Sequence, residues 1–469
     1  MSLLHEDRLF PADDRTRGIT RRIYASIKDL PIVSPHGHTQ AKWFAKNEPF
    51  PDPVKLFVQP DHYVFRMLYS QGVRLEELEI GEEEIEQPRE VWRVFAKHYH
   101  LFRGTPTRLW LDYSFQEQFG MTERLCEANA DRYYDVIAEK IATPEFLPRA
   151  LYERFRIEVL ATTDSPLDRL EFHEEIRKSG WKGRIVPTFR PDPVVDPEFP
   201  GFLDRVAELG ALAGEDTYSW RGYLRALMRR REYFKMLGAT ATDHGHPTAF
   251  TEDLSETSAA SLFEQIIKGT AYAADLEIFR GQMLTEMAKM SVEDGLVMQI
   301  HPGSVRNHNQ QIYQRYGRDM GADIPTSTNY VESLKPLLNR VGNERDLTII
   351  LFTLDEATYS RELAPLAGHY PCLRLGPSWW FHDSPEGMRR FREQVTETAG
   401  FYNTVGFNDD TRALLSIPAR HDVARRADAS FLGRMVAEHR LDEDEAMQVA
   451  RELTVDLVRK AYKLDRPAF

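Results

Sequence analysis

Short apolar segments recur along the chain and alternate with longer stretches whose apolar residues have helical spacing. Several of the short segments are almost wholly apolar, which is typical of strands that are covered on both faces. They predict eight strands, at residues 32–34, 159–163, 185–189, 239–242, 297–301, 348–354, 372–376 and 404–408. Because helical periodicity fills most of the gaps between them, the pattern predicts an α/β protein built as a (β/α)₈ barrel.

One gap between the predicted strands is much longer than the others. Residues 39–157 separate the first strand from the second, whereas a βα unit needs about thirty residues. We therefore predict a helical insertion at residues 39–157. Residues 1–38 then supply an N-terminal arm and the first strand, residues 158–415 the remainder of the barrel, and residues 416–469 C-terminal helices packed on the barrel.

Composition and charge exclude several classes of partner. The 469 residues carry 60 Lys and Arg against 73 Asp and Glu, and the net charge of −13 argues against non-specific binding to nucleic acid or to an anionic membrane. Cys126 and Cys372 are too few for a disulfide framework, and no apolar stretch resembles a signal peptide or a spanning helix. We expect a cytoplasmic protein with no nucleic-acid or membrane partner.

Polar side chains follow the predicted strands at the ends where the active sites of such barrels lie. Singly, each has an ordinary explanation, because an Asp often caps a helix, an Arg often pairs on the surface and Trp pairs often pack. These explanations would have to recur independently at most of the strand ends, so we favour one shared site. The residues are His36, His38, Thr163, Asp164, Arg190, Asp192, Asp243, His301, Arg306, Trp379, Trp380, His382, Asp409, Asp410 and Arg412. We assign His244 and His246 to loop structure.

The pair His36 and His38 has the spacing of a metal chelate, since side chains i and i+2 of a strand point the same way. The last strand of a barrel closes on the first, so a carboxylate from Asp409 or Asp410 can complete a three-ligand site with an open position. Two imidazoles and a carboxylate suit Zn²⁺ or Mn²⁺. Adjacent strand residues face opposite sides, so Asp409 and Asp410 cannot both reach the ion, and spacing alone leaves the choice open.

Several segments recur in the same order and spacing in a known family. They are Pro35-His36-Gly37-His38, Asp61-His62-Tyr63 with Arg66, Thr162-Thr163-Asp164-Ser165-Pro166, His301 with Arg306, Trp379-Trp380-Phe381, and Asp410-Thr411-Arg412 leading to Arg420-His421. Taken together, these segments resemble the uronate isomerases (glucuronate isomerases) of the amidohydrolase superfamily. The resemblance favours Asp410 over Asp409 as the ligand. The wider superfamily often has a Lys on strand four and a His on strand six, where this chain has Asp243-His244 and Leu354-Asp355-Glu356. A centre with two metals is therefore not expected.

The resemblance implies a TIM barrel of the metal-dependent amidohydrolase type. It also implies reversible conversion of D-glucuronate to D-fructuronate, and of D-galacturonate to D-tagaturonate, with a small-molecule hexuronate as the ligand. One divalent metal, Zn²⁺ with Mn²⁺ as the alternative, would be held by His36, His38 and Asp410. We also expect a homo-oligomer.

Aldose–ketose conversion needs a base, an electrophile and an anion clamp. We expect Asp410 or Tyr63 to transfer the proton, Arg412 to stabilise the enediolate, and His301 to contact a substrate oxygen during ring opening. Because Tyr63 lies in the insertion, that subdomain becomes a lid on the site. The expected substrate-binding residues are Arg190 and Arg306 on the carboxylate, Trp379 and Trp380 along the sugar pocket, and Asp243.

Two other classes of function remain open at this point. A mononuclear metal-dependent hydrolase or decarboxylase on the same scaffold would use similar ligands, but an ester or lactam substrate would not need several arginines around the site. A non-catalytic barrel acting as a binding protein would fold normally and bind no metal.

Overall fold

The fold is described from a computed structural model that covers residues 3–82 and 84–465. Its strands are β1 (Ile32–Ser34), β2 (Ile157–Ala161), β3 (Ile185–Val186), β4 (Ala241–His244), β5 (Val297–Ile300), β6 (Ser304–Val305), β7 (Ile324–Pro325), β8 (Ile349–Leu351) and β9 (Leu373–Leu375). Strands β1, β2 and β3 pair in parallel, as do β4, β5, β8 and β9 in that order, while β6 and β7 form a small antiparallel ribbon.

The two parallel sheets continue into one another in chain order. A parallel bridge joins Phe189 to Thr242 and so links the end of β3 to β4. Another joins Leu375 to Thr404, and the backbone N–H of His38 donates to the carbonyl of Thr411 at 3.0 Å. The last predicted strand segment therefore lies between β9 and the end of β1. The predicted parallel α/β fold is confirmed.

The last of the eight predicted strands is an exception. Residues 404–408 make the single bridge at Thr404 rather than a strand ladder. Gly406 has φ +78°, and a Cβ at this position would lie 2.4 Å from the carbonyl oxygen of Leu453. The left-handed backbone at Gly406 interrupts the extended conformation that a strand requires. The prediction of a regular strand at 404–408 is therefore wrong.

Side chains of the parallel strands alternate between the barrel interior and the surrounding helices. Ile350 belongs to the interior cluster together with Val297, whereas Ile349 and Leu351 pack in the cluster formed with the helices. Both faces are buried, which explains why the strands read as continuous apolar runs. The same period of two directs Asp243 inwards with Ala241, and His244 outwards.

Helices surround the parallel strands. The first helix, Asp14–Ile27, buries Ile19, Ile23 and Ile27 against the C-terminal helices at the spacing of one helical face. The helices that accompany the strands are Glu171–Lys178, Asp192–Val195, Phe202–Ala213, Trp220–Met236, Glu256–Lys268, Ala273–Asp294, Gln310–Tyr316, Val331–Val341, Ala364–Ala367 and Pro385–Ala399, and the C-terminal helices are Ile417–Ala437, Glu443–Arg451 and Leu457–Ala461.

The segment between β1 and β2 is helical throughout most of its length. Its helices are Ala41–Lys46, Pro53–Phe57, His62–Ser70, Pro88–Lys97, Pro106–Tyr113, Ala130–Ile141 and Pro148–Arg154. Buried aromatic residues such as Trp92 and Phe115 fill its core, and that core is continuous with Ile32, Ile157 and Ile185 of β1, β2 and β3. The segment therefore packs against the first strands of the sheet, and this packing positions helix His62–Ser70.

Short 3₁₀ and π turns complete the structure. The 3₁₀ turns are Leu75–Leu78, Tyr99–Phe102, Glu127–Asn129, Pro144–Phe146, Trp380–His382 and Leu414–Ser416, and the π turns are Ser114–Gln118, Tyr359–Leu363 and Glu452–Asp456. Within the described part of the chain, no helix combines the length and the apolar character needed to cross a membrane.

Candidate active site

A cavity of about 1010 Å³ opens at the carboxyl ends of the parallel strands. This is the end at which barrels of this class place their active sites. The predicted site residues that line it are His36, His38, Tyr63, Thr163, Asp164, Arg190, Asp192, His301, Arg306, Trp379, Trp380, Asp410 and Arg412. Residues that are nearly four hundred positions apart in sequence, such as His36 and Asp410, therefore share one wall.

Two histidines and one aspartate converge on a common point in this wall. Oδ1 of Asp410 lies 3.3 Å from Nε2 of His36 and 3.0 Å from Nε2 of His38, and the three candidate ligand atoms all lie within 4.8 Å of one another. Oδ1 of Asp410 is buried, and no contact with a described residue has the geometry of a hydrogen bond to it. A carboxylate oxygen that makes no hydrogen bond and faces two imidazole nitrogens suits a divalent cation. Three protein ligands leave one coordination position of such an ion open.

Local backbone contacts hold the three side chains in place. The hydroxyl of Thr163 donates to the carbonyl of Gly37 at 2.9 Å, and this fixes the turn that carries both histidines. Asp410 adopts φ +42°, in the left-handed region that aspartate tolerates better than most residues. The indole N–H of Trp379 donates to Oδ2 of Asp410, leaving Oδ1 for the histidines.

The two neighbouring aspartates at the last strand end have different surroundings. Oδ2 of Asp409 lies 3.0 Å from Nε2 of His421, on helix Ile417–Ala437, and its carbonyl accepts from Arg420 at 3.2 Å. Asp409 thus faces the C-terminal helix, while Asp410 faces the histidine pair. The spacing of the residues left this choice open, and the geometry places Asp410 in the cluster.

Burial and neighbouring charges shift the pKa values within the cluster. Burial lowers the pKa of His36, but Asp243 and Asp410 more than offset it and leave that pKa raised. Burial lowers the pKa of His38, which Asp410 only partly compensates. Burial alone would raise the pKa of Asp410, yet the two imidazoles hold it well below its usual value. Asp410 is therefore a carboxylate at neutral pH.

Asp243 lies behind the cavity wall and not on its surface. Its side chain is 0% exposed, with Oδ1 at 2.7 Å from Nε2 of His301 and Oδ2 at 3.4 Å from Nη1 of Arg190. Burial opposes its ionisation, but His301, Arg190 and His36 hold its pKa well below the usual value. We expected Asp243 to contact substrate, and the structure corrects this expectation, because the carboxylate is enclosed by the side chains that do reach the cavity.

Arginines line the cavity, where they are paired with aspartates. Arg190 pairs through Nε with Asp192 at 2.9 Å, and Arg306 pairs through Nη1 with Asp323 at 3.0 Å while its guanidinium lies 4.6 Å from the ring centre of Trp380. Each guanidinium has five N–H donors, so these pairings leave donors free to bind an anion.

Tyr63 enters the cavity from the helical insertion. Asp61 caps helix His62–Ser70 by accepting from the Tyr63 N–H at 2.9 Å, which orients the first turn. The ring packs edge-on against Trp110 at 5.7 Å. Burial raises the pKa of Tyr63 well above its usual value, although the nearby Arg420 partly opposes this. Its hydroxyl is consequently protonated at neutral pH.

Several cavity residues were given no role in the sequence analysis. His62 stacks on Tyr63 at 4.7 Å, and burial together with Arg412 and Arg66 lowers its pKa to about 3. Its position beside Tyr63 in the matching segment was the signal that could have identified it. Asp164, which the sequence analysis placed in the shared site without a role, lines the cavity, and burial raises its pKa to about 7.

Of the two histidines that we assigned to a loop, His244 lies in strand β4. It is the last residue of β4 and is fully buried, with Nε2 at 2.9 Å from the Thr242 hydroxyl. Its assignment to a loop is wrong, because the strand continues one residue beyond Asp243.

The parallel strand order and the cavity at the carboxyl ends define an α/β protein of the (β/α)₈ barrel class, and the His-His-Asp cluster is a candidate metal site. A family model described as glucuronate isomerase matches residues 11–461, and the chain belongs to this family. The uronate isomerase of Phenylobacterium zucineum is 62% identical over 468 residues, with 99% of this chain and 98% of that protein covered.

Solved structures of uronate isomerases also resemble this chain. The crystal structure of glucuronate isomerase from Caulobacter crescentus superposes with a TM-score of 0.97 at 59% identity, covering 99% of both chains. That of uronate isomerase from Thermotoga maritima has a TM-score of 0.92 at 29% identity, covering 98% of this chain and 99% of that one. The fold is thus shared over the whole length with proteins of this family.

Replacing Asp410 tests the candidate cluster. We expect Asp410→Asn to weaken Zn²⁺ binding by more than about 100-fold, because even the contacts behind a metal ligand are worth about 10- to 100-fold. Asp409→Asn, which changes the neighbouring carboxylate, should retain most of the affinity. Competition with a metal-sensitive dye measures both variants, and circular dichroism checks their folding. If Asp409→Asn loses the metal and Asp410→Asn keeps it, the cluster is assigned wrongly.

Proposed function

We propose that this protein is an aldose–ketose isomerase that interconverts D-glucuronate with D-fructuronate and D-galacturonate with D-tagaturonate. The observation that carries the proposal is the His-His-Asp cluster in the same cavity as Arg190, Arg306 and Arg412. A polyhydroxylated acid needs both features, since its carboxylate requires guanidinium donors and its reacting carbons require an electrophile.

The metal that we assign to His36, His38 and Asp410 is Zn²⁺, with Mn²⁺ as the alternative. Nitrogen ligands with one carboxylate suit either ion, and the buried, unpaired Oδ1 of Asp410 fits a cation at this point. When bound, such an ion polarises substrate oxygens and stabilises negative charge that develops on them.

The carboxylate of the substrate binds to Arg190 and Arg306 in this proposal. Both guanidiniums line the cavity, and each is held by an aspartate, Asp192 or Asp323, that leaves further N–H donors available. Planar guanidiniums match a carboxylate with paired hydrogen bonds, which also fixes the orientation of the sugar. Trp379 and Trp380 provide aromatic walls for the sugar chain.

Two groups take part in proton transfer, one as the acceptor and the other as the donor. Asp410 is ionised and can accept a proton, whereas Tyr63 retains its proton and can donate it from the hydroxyl. Asp243 orients His301, whose ring then contacts a substrate oxygen during ring opening. Arg412 lies beside Asp410 in sequence, lines the cavity and stabilises the enediolate that forms after the C2 proton leaves.

The direct test is to incubate the purified protein with D-glucuronate and, separately, with D-galacturonate, and to follow the ketose signals by NMR. We expect both ketoses to form, chelation to abolish their formation, and Zn²⁺ or Mn²⁺ to restore it. The absence of turnover on both uronates with metal present would contradict the proposal and favour a hydrolase or decarboxylase on the same scaffold.

Arg306→Met tests the carboxylate clamp. We expect KM for D-glucuronate to rise at least about tenfold with kcat changed less than about threefold, because the lost contact is made equally in the ground and transition states. Arg315→Met is a matched control, since Arg315 pairs with Glu76 outside the cavity. Steady-state kinetics of both variants provide the measurement. An unchanged KM in Arg306→Met would remove Arg306 from the clamp.

A further inference from the structure

Gly245 lies where three polar side chains of the cavity wall meet. It directly follows strand β4 and lines the cavity. A Cβ at this position would lie 2.4 Å from Nη2 of Arg190, 2.8 Å from Oδ2 of Asp192 and 2.9 Å from Cε1 of His301. Because carbon atoms in contact lie about 3.5–4.0 Å apart, no side chain larger than hydrogen fits here. Gly245 is not among the glycines with a left-handed backbone, so the close approach of its neighbours explains why this residue is glycine.

The strand order brings these neighbours together across Gly245. Strand β4 pairs with β5, which His301 follows, and the bridge from Phe189 to Thr242 joins β4 to the segment that Arg190 follows. Side chains from the two flanking strand ends must therefore approach each other over the end of β4. They can do so because the residue at that point has no side chain.

The same side chains form a closed ring of contacts around Gly245. Its N–H faces both carboxylate oxygens of Asp192, at 3.1 and 3.2 Å, and Asp192 accepts from Nε of Arg190 at 2.9 Å. Nη1 of Arg190 lies 3.4 Å from Asp243, which lies 2.7 Å from Nε2 of His301. Each member is held by the next, and both cavity-lining members, Arg190 and His301, pack against the bare Cα of Gly245.

The ring restrains the guanidinium that is closest to Gly245. A long arginine side chain usually yields to a new neighbour by changing its rotamer. Here Nε of Arg190 is held by Asp192, Nη1 faces the fully buried Asp243, and the backbone N–H of Arg190 donates to the carbonyl of Asp164 at 2.9 Å. A methyl group on Gly245 would therefore displace the guanidinium by about 1 Å or break its pairing with Asp192.

We propose that Gly245 is a positioning residue for substrate binding, whose N–H and bare Cα together fix where Arg190 lies relative to His301. The inference rests on the proposed function, in which Arg190 binds the C6 carboxylate and His301 contacts another oxygen of the same sugar. One ligand must reach both side chains at once, so the distance between them has to match the length of the sugar chain. Gly245 sets that distance although it supplies neither group.

This role separates the binding of the sugar from the binding of the metal. A misplacement of about 1 Å in a group that orients the substrate can lower activity by about 100-fold. The three atoms nearest to the missing Cβ belong to Arg190, Asp192 and His301, and none belongs to the His-His-Asp cluster. A methyl group on Gly245 should consequently weaken ligand binding and leave the affinity for metal nearly unchanged.

Gly245→Ala tests the assignment with L-gulonate, which is the D-glucuronate chain with its C1 aldehyde reduced to an alcohol and so cannot isomerise. Calorimetry measures the Kd of L-gulonate for the Zn²⁺-loaded protein, and dye competition measures Zn²⁺ affinity. We expect Kd to rise at least about tenfold and Zn²⁺ affinity to change less than about threefold. Gly18→Ala, in the first helix, is the matched control, because a Cβ there meets Arg22 at an ordinary 3.9 Å. It should change neither value by more than about twofold.

A double variant shows whether Gly245 acts through Arg190. Arg190→Met removes the atom that lies closest to the missing Cβ, so adding Gly245→Ala to it should raise Kd by less than about threefold further. If Gly245→Ala folds poorly by itself, the double variant should recover the Tm of Arg190→Met, because the closest overlap is gone.

Three results would overturn the assignment. One is an unchanged Kd in Gly245→Ala. Another is a pair of effects that multiply in the double variant, which would show that Gly245 acts independently of Arg190. The third is an equal loss of L-gulonate and Zn²⁺ affinity, which would indicate general damage to the end of the barrel. Turnover is a separate readout: a wild-type protein that turns over neither uronate would contradict the proposed function, whereas the binding comparison would still decide the role of Gly245.

Discussion

The contact of Asp410 with His36 and His38 is the interaction on which the rest of the cavity depends. It joins the first and last strand ends, where the His38 N–H also donates to the carbonyl of Thr411. A buried carboxylate without hydrogen bonds to Oδ1 is costly unless a positive charge lies beside it. The same point therefore joins the two chain segments and forms a candidate site for a cation.

The charged side chains of the cavity form ion pairs. Buried Asp243 holds His301 and Arg190, Asp323 holds Arg306, and Asp319 lies beside Arg412. None of these guanidiniums uses all of its donors in such a pairing, so an incoming carboxylate still finds partners. A cavity with this balance of charge can bind an anion in a chain whose net charge is −13.

Much of the fold could be predicted from the sequence, because parallel strands buried on both faces appear as apolar runs and the two histidines keep the period of a strand. Features that depend on tertiary contacts could not. The left-handed backbone at Asp410 decides which aspartate faces the histidines, and Gly406 interrupts the last strand. Asp243 is enclosed by His301 and Arg190, which come from neighbouring strand ends. Arg315 pairs with Glu76 of the insertion, far away in sequence.

The most direct measurement is an anomalous difference map from a crystal of the Zn²⁺-loaded protein, collected at the zinc absorption edge. We predict one strong peak about 2.0–2.2 Å from Nε2 of His36, Nε2 of His38 and a carboxylate oxygen of Asp410. A peak coordinated by Asp409 and not Asp410, or a fully loaded crystal with no peak between the two histidines, would contradict it.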